Sequence, residues 1–113
     1  MEIINHKQVE RLAAEIGREN VPVLLEIFLS EIAGYTSMLL PLEGQEQHDY
    51  LTEVSHALKS SAASFGADAL CEYSVALDQT AKSGKQLTSE SYKKEMVDLL
   101  NKTYSVYQDL FAQ

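Results

Sequence analysis

The chain has 113 residues, 45% of them hydrophobic and 23% charged, enough to bury a core as one domain over 1–113 without disulfides or metal. Nine basic against seventeen acidic side chains leave a net charge of −8, which repels nucleic-acid phosphates and anionic lipid and makes both poor partners for the bulk surface. The one cysteine, Cys71, cannot form an internal disulfide, so a reducing compartment is expected, with the cytoplasm as default; no signal peptide is read at the N-terminus and no apolar run is read as long enough to span a bilayer.

Sustained period-two alternation is missing, whereas helix signals recur along the chain. Asn5 with Gln8 resembles a capping box, and Ile4 can staple onto Val9. Val9, Leu12 and Ile16 then form an apolar stripe that Gly17 ends. Asn20 is expected to cap a second helix with Pro22 in its first turn, and Leu24, Phe28, Ile32, Tyr35 and Leu39 to form its buried stripe. Gly34 weakens that helix, and Pro41 with Gly44 should stop it.

A third helix is expected from about Gln47 to Ser64, burying Leu51, Val54, Leu58, Ser61 or Ala62, and Phe65. A fourth begins near Asp68 and buries Leu70, Tyr73, Ala76, Leu77 and Ala81 before Ser83-Gly84. The last starts at Thr88, where Leu87 can staple to Tyr92, and runs through Met96, Leu99, Leu100, Thr103, Tyr107 and Leu110. Each stripe covers one face, and the connections are short. The expected fold is therefore all-α: an antiparallel up-and-down four-helix bundle with a short additional N-terminal helix.

Between Glu19 and Ala81 there are ten acidic residues and a single basic one, Lys59, three places after His56. At about 100° per residue, His56 lies on the side of its helix away from Val54 and Leu58 and so faces solvent. Thr52, Glu53, Lys59, Ser60 and Ala63 share that side, because steps of three, four and seven return to one face. The run Ala57 and Ser60 to Ser64 has little side-chain bulk; it either lets two helices pack closely or lets another protein approach the imidazole, or both. An exposed imidazole is partly neutral and nucleophilic near pH 7. Phosphoryl transfer needs an in-line nucleophile and positive charge beside the equatorial oxygens. His56 supplies the first, Lys59 part of the second, and the Ser60 hydroxyl a candidate donor.

The segment His56-Ala-Leu-Lys59-Ser-Ser-Ala-Ala-Ser-Phe-Gly66 resembles the signature of histidine-containing phosphotransfer domains, through His56, Leu58, Lys59, Ser61 and Gly66. Together with Asn20 to Leu25, it is similar to free-standing phosphorelay proteins of bacterial quorum sensing. The resemblance implies that His56 is phosphorylated on its outer ring nitrogen by the receiver domain of a hybrid sensor kinase and passes the group to a downstream response regulator. It implies no kinase activity in this chain, and Mg²⁺ held by the receiver rather than by a cofactor site here. His56 is then the phosphoryl carrier and Lys59 neutralises the group. Thr52, Glu53 and Ala63 belong to the docking face, and the chain is expected to be a monomer. Gly66 either lets the third and fourth helices approach closely or caps the third. Two positions depart from the family pattern. Ser60 stands where glycine is common, and the stretch Ala76-Leu77-Asp78-Gln79 stands where many members place glutamine on the facing helix. Gln79 and Lys82 are candidate helpers; an inward Asp78 is expected to oppose phosphate.

Among rival readings, an independent enzyme lacks a glycine-rich phosphate loop or a Ser/His/Asp constellation. His6, His48, His56 and the solitary Cys71 show no metal-ligand spacing. The remaining alternative is a helical adaptor or inhibitor that binds a receiver without carrying phosphate.

Overall fold

The computed structural model describes residues 2–111. Among them are five α-helices and no strand: α1 (His6–Ile16), α2 (Val21–Leu39), α3 (Gly44–Phe65), α4 (Asp68–Lys82) and α5 (Glu90–Phe111), with a 3₁₀ turn at Arg18–Asn20 between α1 and α2. The most extensive packing is of α3 on α4 and of α2 on α5, with α1 laid against α3.

The phase of α2 is set by a repeat of four and three: Val21, Leu25, Phe28, Ile32, Tyr35 and Leu39 turn inward, all but the partly exposed Tyr35 being buried. Leu25 is 4% exposed and Leu24 is 36% exposed, so the expectation that Leu24 belongs to the core is corrected by one position. Leu25 stands seven residues before Ile32, almost directly beneath it on the helix, whereas Leu24 is displaced by a further 100° or so. By length and composition, Arg18–Leu39 is long and apolar enough to cross a membrane, contrary to the expectation that no such run exists. Here its inner side is part of the core, which also contains Leu51, Val54, Leu58, Leu70, Leu77, Met96, Leu100 and Tyr107. Phe28 stacks on Phe65 at 4.6 Å and meets Tyr107 edge-on at 5.8 Å. The Tyr107 hydroxyl donates to the Phe65 carbonyl at 2.6 Å. Ala76 and Leu110, both expected inside, are exposed instead.

Three helix starts differ from expectation. The Asn5 side chain accepts from the Gln8 N–H at 3.2 Å, which is half of the capping box. The other half is replaced: the Asn5 N–H donates to the Gly66 carbonyl at 2.7 Å and the Gln8 amide reaches the Ser64 carbonyl at 3.3 Å. Asn20 does not cap α2. Its backbone is helical and its amide donates to the Ile16 carbonyl at 2.6 Å, closing the end of α1 instead. Gly44 begins α3, three residues earlier than expected. The end of α2 is closed by buried Lys93, whose ammonium donates to the carbonyls of Leu40 at 3.1 Å and Leu42 at 2.9 Å.

The loop before α5 is clamped to the start of α3. The buried Gln47 amide donates to the Leu87 and Ser89 carbonyls, both at 2.9 Å, and the Leu87 N–H donates to His48 Nδ1 at 2.8 Å. His48 is thus a structural acceptor rather than a plain surface residue. At the far end, Gly66 ends α3 with a left-handed φ of 75°. A Cβ there would lie 2.7 Å from the Asn5 carbonyl oxygen. The close approach that Gly66 permits is therefore of the N-terminal segment, not of α4, and the capping role is the one it fills.

Candidate functional site

Helix α3 is amphipathic about the line Leu51, Val54, Leu58 and Ala62, all completely buried. That burial fixes the opposite side outward. The His56 side chain is 72% exposed, as the wheel requires. Glu53 and Ala63 are exposed beside it, and Thr52 is half-buried. The Thr52 hydroxyl donates to the His48 carbonyl at 2.8 Å and that of Ser60 to the Ala57 carbonyl at 3.4 Å, so both hydroxyls are turned onto their own helix.

Across the seam, α4 contributes a carboxylate. Asp78 has only 6% of its side chain exposed. Its Oδ2 receives the Lys59 ammonium at 2.7 Å and the Lys82 ammonium at 2.9 Å, and its Oδ1 lies 3.8 Å from His56 Nδ1. One buried anion thus gathers two cations from two helices at the base of an exposed imidazole. The hydrogen bonds from Lys59 and then Lys82 outweigh burial and hold the Asp78 carboxyl down at about 2. The bond to Asp78 in turn raises Lys82. Asp78 is ionised and Lys82 protonated throughout the physiological range. The Cys71 thiol, raised by burial, donates to the Lys59 carbonyl at 3.7 Å and adds a contact between α3 and α4 beside the cluster.

The structure brings together His56, Lys59 and Lys82, and leaves Gln79 outside. Gln79 is exposed, one residue and about 100° around α4 from Asp78. Gly66 stands ten residues, about 15 Å of helix, from His56 and belongs to the scaffold. Asp78 is the residue that sequence reasoning missed. Taken alone it is a charge to be kept away from phosphate, although its spacing of four from Lys82 is that of a helical ion pair. Its pairing with Lys59 had no local signal.

The site is open. A groove of about 460 Å³ lies between α2 and α5, lined by Leu25, Leu29, Ala33 and Tyr104 among others; it shares no residue with the His56 face. A small molecule would find no enclosure around the imidazole, whereas the flat face of α3 with Ser60 and Ala63 leaves room for a macromolecule to cover it.

Residues 23–104 match the Hpt domain. This chain belongs to the Hpt family. The Hpt match runs from the first turns of α2 into α5 and so includes every residue of the His56 cluster. The chain is 50% identical over 107 residues to the phosphorelay protein LuxU of Vibrio harveyi, covering 95% of this chain and 94% of that protein. It is 49% identical over 109 residues to LuxU of Vibrio cholerae, covering 96% of each, and 49% identical over 107 residues to LuxU of Vibrio vulnificus, covering 95% and 93%. No solved structure matches the chain at a significant level.

Proposed function

We propose that this chain is a phosphorelay carrier of quorum sensing, formed by residues 1–113 as one antiparallel up-and-down bundle. In this reading, His56 accepts a phosphoryl group from the receiver aspartate of a hybrid sensor kinase and hands it to an aspartate of a LuxO-like response regulator. Membership of the Hpt family and the phosphorelay names of relatives identical at half of their positions support the reading. The observation that carries it is the position of His56. Its ring is 72% exposed on a rigid helix while two ammoniums are held on one carboxylate at its base.

In the transfer, the Nε2 lone pair of neutral His56 attacks phosphorus in line. The P–N bond forms as the bond from phosphorus to the receiver's carboxylate oxygen breaks, and that oxygen keeps the electron pair. The Nδ1 proton stays on the ring. Positive charge developing there faces Asp78 Oδ1 at 3.8 Å, and the ammoniums of Lys59 and Lys82 offset charge on the equatorial oxygens. The reverse steps, with a second receiver, unload the carrier. Mg²⁺ sits on the receiver in both steps, and the chain is a cytoplasmic monomer with no kinase activity of its own. Thr52, Glu53, Ser60 and Ala63 form the face that the receiver covers.

The test is incubation with a phosphorylated receiver. Acid-labile, base-stable label is expected on the parent protein and none on His56→Gln. Label that persists in His56→Gln would reject the assignment, and a receiver that binds without transferring label would favour the adaptor reading.

A further inference from the structure

Asp78 presents a conflict. A carboxylate beside a phosphohistidine repels it, and this one is nearly buried, so it cannot turn away into water. Yet the same carboxylate holds both of the cations that the phosphoryl group needs.

We infer that Asp78 is a positioning residue that stores Lys59 and Lys82 beside His56 in the free protein and competes with the phosphoryl group for them afterwards, so that it sets how tightly the carrier retains its cargo. The inference rests on His56 being the phosphoryl acceptor.

The geometry supports both halves. Both ammoniums converge on the single oxygen Oδ2, at 2.7 and 2.9 Å, and each ammonium has three donors, so neither is saturated by that bond. Lys82 has 66% of its side chain exposed and Lys59 29%, and their aliphatic stems can swing the charges outward without moving a helix. Asp78 sits on the inner side of α4 and cannot follow them. A phosphoryl group carries roughly −1.5 to −2 charges near pH 7 and attracts both ammoniums. As they turn to it, Asp78 becomes a buried anion with weakened pairing, a state that costs free energy only while the carrier is loaded. The two ammonium contacts at 2.7 and 2.9 Å outweigh the single approach of Oδ1 to the ring at 3.8 Å, so the carboxylate preorganises the cations for acceptance and, on balance, favours release. This suits a protein that must pass its cargo on.

Asp78→Asn keeps the shape and removes the charge. In equilibrium mixtures with a phosphorylated receiver, it should move the partition of phosphoryl group toward His56 by roughly five- to tenfold, because one pKa unit of interaction is a factor of ten. An unchanged partition, or a shift toward the receiver, would overturn the inference. Plain repulsion between Asp78 and the phosphoryl group predicts the same shift whether or not the lysines are present. Competition predicts that the shift falls below about twofold in the Lys59→Ala/Lys82→Ala background. A full-sized shift there also overturns the inference. If the double-lysine background fails to fold by circular dichroism, Lys82→Ala alone serves, with a reduced shift expected and an undiminished one contrary. Phosphoramidate, which gives up its phosphoryl group as ammonia leaves, separates this inference from the reading beneath it. A parent protein that takes no label on His56 from either the receiver or phosphoramidate overturns both. A parent that labels on His56, with no shift on Asp78→Asn, overturns the role of Asp78 alone.

Discussion

Lys93 and the Lys59–Lys82 pair are cations brought between helices, and they are held in opposite ways. Lys93, 7% exposed, is bound by the carbonyls of Leu40 and Leu42, with Glu90 at 3.4 Å. Those carbonyls are the unpaired end of α2 and its following turn, so the ammonium is a part of the scaffold with nowhere else to go. Lys59 and Lys82 are bound to a side chain rather than to backbone, share one oxygen of it, and keep part of their stems in solvent. They can change partners. The difference teaches that a charge is available for chemistry when its resting partner is replaceable, and that burial alone does not mark a site.

The sharpest way to break the comparison is to remove each kind of lysine. Lys93→Ala should cost about 2 kcal/mol of stability, since it leaves partly buried carbonyls without a charged donor, read as a lower urea midpoint at unchanged slope. Phosphoryl transfer per folded molecule should be unaltered. Lys59→Ala should do the reverse, slowing transfer about tenfold with helicity retained. Equal transfer rates for Lys59→Ala and parent would remove Lys59 from the mechanism.

Acid titration probes the replaceable pair next. Asp78 is depressed below its ordinary carboxyl value to about 2. Its contribution to stability is therefore full above about pH 4 and is lost as pH falls from there through about pH 2. With the exposure of Lys82 discounted, the loss should be on the order of 1–2 kcal/mol. Chemical denaturation of Asp78→Asn across the same window should show that much less pH dependence; an identical pH profile would mean that the ion pairs contribute nothing measurable.

The smallest expected effect separates two glycines. A Cβ added at Gly34, in α2, would meet nothing within 4 Å, whereas Gly66 has φ of 75° and a Cβ there would lie 2.7 Å from the Asn5 carbonyl oxygen. Gly34→Ala should stabilise the chain by about 0.5–1 kcal/mol, and Gly66→Ala should destabilise it. A rise in melting temperature for both would show that the N-terminal segment yields easily around residue 66.

Much of the site is legible in the sequence. His56 must point outward because Val54 and Leu58 have to face inward, and periodicity of that kind is local. Lys59 follows from the same wheel. Asp78 is not legible as a partner, because its bond to Lys59 joins residues nineteen apart and depends on the register of α4 against α3. The helix ends show the same limit. Asn5 caps α1 as its neighbours suggest, but the Gln8 amide finds the distant Ser64 carbonyl instead. The order of Leu24 and Leu25 is by contrast a local matter, since Leu25 stands seven residues before Ile32 and shares its face.

The amino-acid sequence by itself determined that this chain is helical, which face of α3 carries its imidazole, and that a cation stands one turn away. Those properties depend on residues within a few places of one another, where helical geometry leaves little choice. Only the tertiary structure decided which carboxylate holds that cation, that Lys82 joins it, and that Gly66 accommodates the N-terminal segment. Each of these is a meeting of distant segments, and side-chain hydrogen bonds go to whichever partner packing brings within 3 Å or so.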